Sequence, residues 1–134
     1  MNAAGDMPGR AHRKALGPIL AIYWLGIFAA THLPQAALPQ PPIGDKTEHF
    51  IAYAGLSSLM LTWLVFTRPK LRRAWVLTLL VCAAYGAIDE ITQPIVNRYC
   101  DFRDFLADCV GAALGTLVVM IVFRRRRLRQ AGGA

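Results

Sequence analysis

The stretch from Asp89 to Gly115, DEITQPIVNRYCDFRDFLADCVGAALG, holds Asp89, Glu90, Asp101, Asp104 and Asp108, five of the chain's eight acidic residues, in a protein of net charge +7. Carboxylates gathered this closely suit two kinds of chemistry. They can supply oxygen ligands to a divalent cation such as Mg²⁺, for which Asp89, Glu90, Asp104 and Asp108 are the candidates. They can also line a polar pocket together with cations. A second motif, DKTEHFIAY from Asp45 to Tyr53, brings Lys46 and the candidate general acid or base His49. Asp45, His49 and Tyr53 stand at i, i+4 and i+8, so one helical face carries all three. The plainer reading of that motif is a helix cap at Asp45, with His49 and Tyr53 in the interfacial belt. Tyr85, Asp89 and Gln93 repeat the spacing. Asp101, Asp104 and Asp108 share a face near the start of the last helix. Asp89, Glu90 and Asp104 join His49 as catalytic candidates. Arg98 and Arg103 offer planar forks for a phosphate.

The elements that position these residues follow from composition. At 134 residues, 55% hydrophobic and mean hydropathy +0.38, the chain is one domain and too apolar for an ordinary soluble one. Four segments reach the roughly 17–20 residues needed to cross a hydrocarbon core of about 30 Å: Leu16 to Leu33, His49 to Thr67, Ala74 to about Ile91, and Phe105 to Phe123. The expected fold is all-α, a polytopic bundle of four transmembrane helices. It divides into a basic, unstructured arm (1–14), the membrane domain (15–123) and a basic tail (124–134). Pro18 falls in the first turn of the first helix, where its missing N–H costs little. That first segment also has the order of a signal peptide, but its apolar run exceeds the usual 7–15 residues, and a retained helix is expected. Pro34, Pro39, Pro41 and Pro42 give the following loop an extended course.

Charge is sorted by side. Arg10, Arg13 and Lys14 precede the first span, Arg68, Lys70, Arg72 and Arg73 separate the second and third, and Arg124 to Arg127 with Arg129 follow the fourth. The positive-inside rule makes these regions cytoplasmic, places both termini inside and puts seven acids on the outer side of a plasma membrane. A nucleic-acid footprint requires no such sorting. The RRRR run serves as a topology anchor with attraction to anionic lipid.

Helical rise of about 1.5 Å per residue turns sequence distance into depth. Asp89 lies roughly 24 Å above Arg73, Asp108 roughly 24 Å above Arg124, and Tyr53 and His49 about 22 and 28 Å above Arg68. Three helices therefore bring polar groups to one level, and these groups are expected to meet. A carboxylate facing lipid costs about 2.5–3.5 kcal/mol at a helix centre, so the acids turn inward. Leu at Asp89 or Asp108 is then expected to raise thermal stability while destroying function. Gly111 and Gly115 in GAALG allow close helix approach, within the bundle or against a second copy. Cys82, Cys100 and Cys109 read as free thiols.

At DKTEHFIAY, DEITQ and RYCDFRDFLADCVGAALG the chain resembles the VanZ-like family of small bacterial membrane proteins. By that resemblance the residues to carry over are Asp45, Lys46, His49, Tyr53, Asp89, Glu90, Gln93, Arg98, Asp104 and Gly111. Asp108 stands where the family often has Asn, and Asn97 where it often has Gly. The resemblance implies an envelope role and a link to glycopeptide (teicoplanin) tolerance, and supplies no reaction. Three functions stay open. The pocket binds the head of a lipid or lipid-linked cell-wall precursor, held by Lys46, Arg98 and Arg103. Or an intramembrane lipid-phosphate hydrolase or transferase works through His49 and a divalent cation. Or an oligomer conducts or transports through its carboxylates. The sequence carries no P-loop, HExxH, GxSxG or CxxC signature, so binding leads.

Overall fold

In the computed structural model, residues 9–33 and 44–132 are described. They form α1 (Gly9–His32), α2 (Asp45–Thr67), α3 (Ala74–Thr92), a short 3₁₀ turn (Gln93–Val96) and α4 (Phe102–Gly132). All four helices are long and apolar enough to cross a membrane. The proline-rich loop at 34–43 lies outside the described residues.

α1, α2 and α4 outrun the apolar segments that marked them, while α3 matches its own. α1 begins at Gly9, so the arm is helical over 9–14, and Pro18 stands inside the helix rather than in its first turn. The carbonyl of Lys14 therefore lacks a helical N–H, a loss tolerable close to the basic, water-facing end. α2 starts at Asp45, where Asp45 and Glu48 complement the positive end of the helix dipole. α4 continues through the arginine run to Gly132, because hydropathy locates the hydrocarbon and not the helix end. Asp101 precedes α4 rather than belonging to it, and its carboxylate accepts from the Arg103 N–H at 2.9 Å, the geometry of an N-cap.

The side chains are arranged inside out. Ile22, Leu25, Leu80, Ile88, Ile91 and Val110 are exposed, the surface a bundle presents to acyl chains, while Thr31, His49, Asp89, Glu90, Asp104 and Asp108 are buried. α2 and α4 run parallel and make the closest helix pair. A Cβ at Gly111 would fall on the Phe50 carbonyl, and one at Gly115 on the Ala54 carbonyl and the Ser57 hydroxyl. GAALG thus packs within the bundle. α1 is held to α2 by the Tyr23 hydroxyl, which donates to the Ala52 carbonyl at 3.1 Å, and to α3 by an edge-on Trp24–Tyr85 contact. The three cysteines are free.

Asn97 ends the 3₁₀ turn at φ 58°, ψ 37°, the left-handed region. Gly enters that region without strain and Asn does so more readily than other residues, which accounts for Asn at a position that favours Gly. Asn97→Ala is expected to cost about 1 kcal/mol and Asn97→Gly nothing measurable, read by thermal unfolding in detergent.

Candidate functional site

α2, α3 and α4 bring their polar residues together at the end of the bundle opposite Arg68, Arg72, Arg73 and the Arg124 to Arg127 run. The parallel course of α2 and α4 sets a ladder of contacts between them. Lys46 Nζ donates to Asp104 Oδ1 at 3.0 Å and to Asp101 Oδ2 at 3.1 Å. One turn deeper, His49 Nδ1 lies 3.0 Å from Asp108 Oδ1, with Glu90 Oε1 of α3 at 3.9 Å. The level reached by counting residues is thus a real meeting point. His49, Glu90 and Asp108 are all buried there.

Glu90 ties this centre to the connection before α4. Its Oε1 accepts from Gln93 Nε2 at 3.2 Å and its Oε2 from the Asp101 N–H at 2.9 Å. Asp101 in turn holds its carboxyl below the usual range, because the Arg103 N–H stabilises the anion and Lys46 adds to it. Tyr53 Oη, Tyr85 Oη, Asp89 Oδ2 and Asp108 Oδ2, and Thr116 Oγ1 further along α4, are buried without a partner among the described residues. The Tyr53 and Tyr85 rings stack at 5.9 Å. Buried polar groups are nearly always bonded, to protein or to ordered water.

His49 also decides which residues could hold a metal. Two groups present ligand atoms within 4.8 Å of one another: Asp45, His49 and Asp104, and His49, Glu90 and Asp108. The all-carboxylate set of Asp89, Glu90, Asp104 and Asp108 is not one of the groups gathered among the described residues. An imidazole beside two carboxylates suits Zn²⁺, Mn²⁺ or Fe²⁺ better than Mg²⁺, which prefers oxygen alone.

Asp89 instead turns toward α1, accepting from Thr31 Oγ1 at 2.7 Å with His32 Nδ1 at 3.5 Å. His32 Nε2 lies 2.9 Å from Thr92 Oγ1. Thr31 and His32 are site residues that sequence patterning passes over, since a Thr-His pair at a helix end carries no spacing signal. Arg98 Nη1 donates to the Ala30 carbonyl at 2.9 Å, and its Nη2 lies 3.9 Å from Asp45 Oδ1. Arg103 is exposed and its side chain joins no ion pair among the described residues.

A cleft of about 290 Å³ opens between α1 and α2 beside this cluster. Gly26, Ile27, Ala30 and Ala52 give it an apolar wall, and Asp45, His49, Tyr53 and Arg98 a polar end. The cleft thus pairs one apolar wall with one charged end.

Fold and site together define a multi-pass helical membrane protein with a buried histidine–carboxylate centre. The chain belongs to the VanZ/LLP1 family, which matches over residues 14–124. It is also 32% identical over 126 residues to an uncharacterized protein of Schizosaccharomyces pombe, covering 92% of this chain and 75% of the relative. A fungal relative extends the resemblance beyond bacteria. No solved structure matches the chain.

Proposed function

We propose that the cleft between α1 and α2 binds the polar head of a membrane lipid or a lipid-linked cell-wall precursor. The observation that carries this is the pairing of an apolar wall with a polar end of Asp45, His49, Tyr53 and Arg98 in one laterally placed cavity. The acyl chain follows the wall between the helices, and the head meets Arg98, whose fork suits a phosphate. A relative in a fungus favours chemistry common to bacterial and fungal membranes, and a phosphate-bearing lipid head is such chemistry. By the positive-inside rule the acidic end faces outward, both termini are cytoplasmic, and the ligand comes from the outer leaflet of the plasma membrane. In a bacterium, holding cell-wall precursors there would alter glycopeptide tolerance, including that to teicoplanin.

A second reading rests on the His49–Asp108 pair. A histidine oriented by a buried carboxylate, with Glu90 alongside, is an acid–base device, and the same pocket would then hydrolyse or transfer a lipid phosphate.

Native mass spectrometry of protein released gently from its membrane separates these outcomes. Wild type is expected to carry a phospholipid or polyprenyl phosphate, and Arg98→Ala to retain about 10-fold less. Equal retention by a folded Arg98→Ala protein would sink the assignment. Turnover of a lipid phosphate that His49→Gln abolishes, with the lipid still bound, would promote the enzyme over the binding protein.

A further inference from the structure

The opposite end of the bundle holds a second cavity, larger than the first and of contrary charge. It measures about 640 Å³ and lies where the ends of α2 and α4 meet the turn before α3. Arg68, Arg72, Arg124 and Arg127 line it, drawn from two segments more than fifty residues apart in sequence. Leu61, Val65, Trp75, Met120 and Phe123 supply its apolar wall.

None of the four guanidinium groups joins an ion pair among the described residues, where every salt bridge lies at the acidic end. All the described carboxylates belong to the other pole, so none among the described residues neutralises this one. All four arginines are exposed to solvent, and like charges gathered on one cavity repel, a repulsion that water and salt soften and a bound anion would relieve further. Their convergence on a concave site, rather than on an even basic rim, separates this feature from a simple topology anchor. The volume falls within the roughly 300–1,000 Å³ of small-molecule sites, and the apolar wall runs inward along the spans.

We infer that Arg68, Arg72, Arg124 and Arg127 form a binding site for the head group of an anionic phospholipid, whose acyl chain lies on the Leu61–Val65–Met120–Phe123 wall. The site is separate from the cleft at the acidic end and does not depend on the function assigned there. Guanidinium forks grip the phosphodiester, and the net negative charge of the head group distinguishes the ligand from a zwitterionic lipid. Because the site bridges the α2–α3 turn and α4, an occupant clamps these elements together.

The test is thermal unfolding of full-length protein in neutral detergent with added phosphatidylglycerol, phosphatidylcholine or inorganic phosphate, alongside native mass spectrometry to count bound lipids. Phosphatidylglycerol is expected to raise the melting temperature of wild type, with the other two additives doing little. Arg124→Gln with Arg127→Gln should weaken phosphatidylglycerol binding about 10-fold or more. Arg125→Gln with Arg126→Gln removes the same charge from residues that do not line the cavity, and should leave binding within about 2-fold. Equal losses in the two double variants would reduce the effect to general surface attraction and overturn the site. Equal stabilisation by inorganic phosphate or phosphatidylcholine would overturn the anionic lipid as its occupant.

Discussion

Gly111→Ala is expected to destabilise the protein by roughly 2–4 kcal/mol, and Gly111→Leu to leave no folded, monodisperse protein at all. In an exposed helix the first change would stabilise by about 1 kcal/mol, since Ala is the better helix former. The opposite sign follows from what the added methyl meets. At Gly111 its nearest neighbours are the oxygen, carbonyl carbon and Cα of Phe50, all backbone atoms of α2 that no rotamer change can move aside. The whole of α2 must retreat, and Lys46 and His49, which meet Asp104 and Asp108 of α4, retreat with it. Gly26 supplies the control, because a Cβ there meets nothing within 4 Å. Thermal or chemical unfolding in detergent should show Gly26→Ala neutral or slightly stabilised beside a large loss for Gly111→Ala. Equal stability of the two variants would mean that α2 and α4 do not approach as closely as described.

How much of this was legible beforehand depends on whether a feature is written in one helix or between two. Periodicity and length revealed four spans, and rise per residue placed His49 and Asp108 at a common level, because both are properties of single helices. The partners across helices were not readable. Asp89 shares the depth of Asp108, yet bonds Thr31 on α1 because α3 presents it to a different neighbour. Arg103 has the right type and neighbourhood, and still faces outward from the first turn of α4. Asp101 fits the i, i+3, i+7 pattern with Asp104 and Asp108, but serves as the cap before that helix begins. Helix ends were misplaced for a related reason. Lys14 and the Arg124 to Arg127 run are good helix formers that continue α1 and α4 beyond the apolar segment, so the boundary of the hydrocarbon and the boundary of the helix differ.

The His49–Asp108 pair also revises the expectation that Leu at position 108 alone would stabilise the bundle. Asp108 is fully buried and costs energy there, but its removal strands His49 Nδ1, whose next acceptor, Glu90 Oε1, is at 3.9 Å. Breaking one side of a buried pair typically costs about 3–5 kcal/mol, whereas replacing both sides with apolar residues is often neutral or stabilising by about 1–4 kcal/mol. Asp108→Leu and His49→Leu are therefore each expected to lower stability by about 3 kcal/mol. The double variant should return to wild-type stability or exceed it. A double-mutant cycle read by unfolding in detergent should give a coupling of at least about 2 kcal/mol. Retention of the lipid at the acidic end should be lost in all three proteins, since His49 lines the cleft that is proposed to receive the head group and Asp108 holds its imidazole. Additivity within about 0.5 kcal/mol would show that the two side chains do not depend on each other. A stable double variant that still carried its lipid would make the pair a structural fastening between α2 and α4, and would remove the histidine from the proposed function.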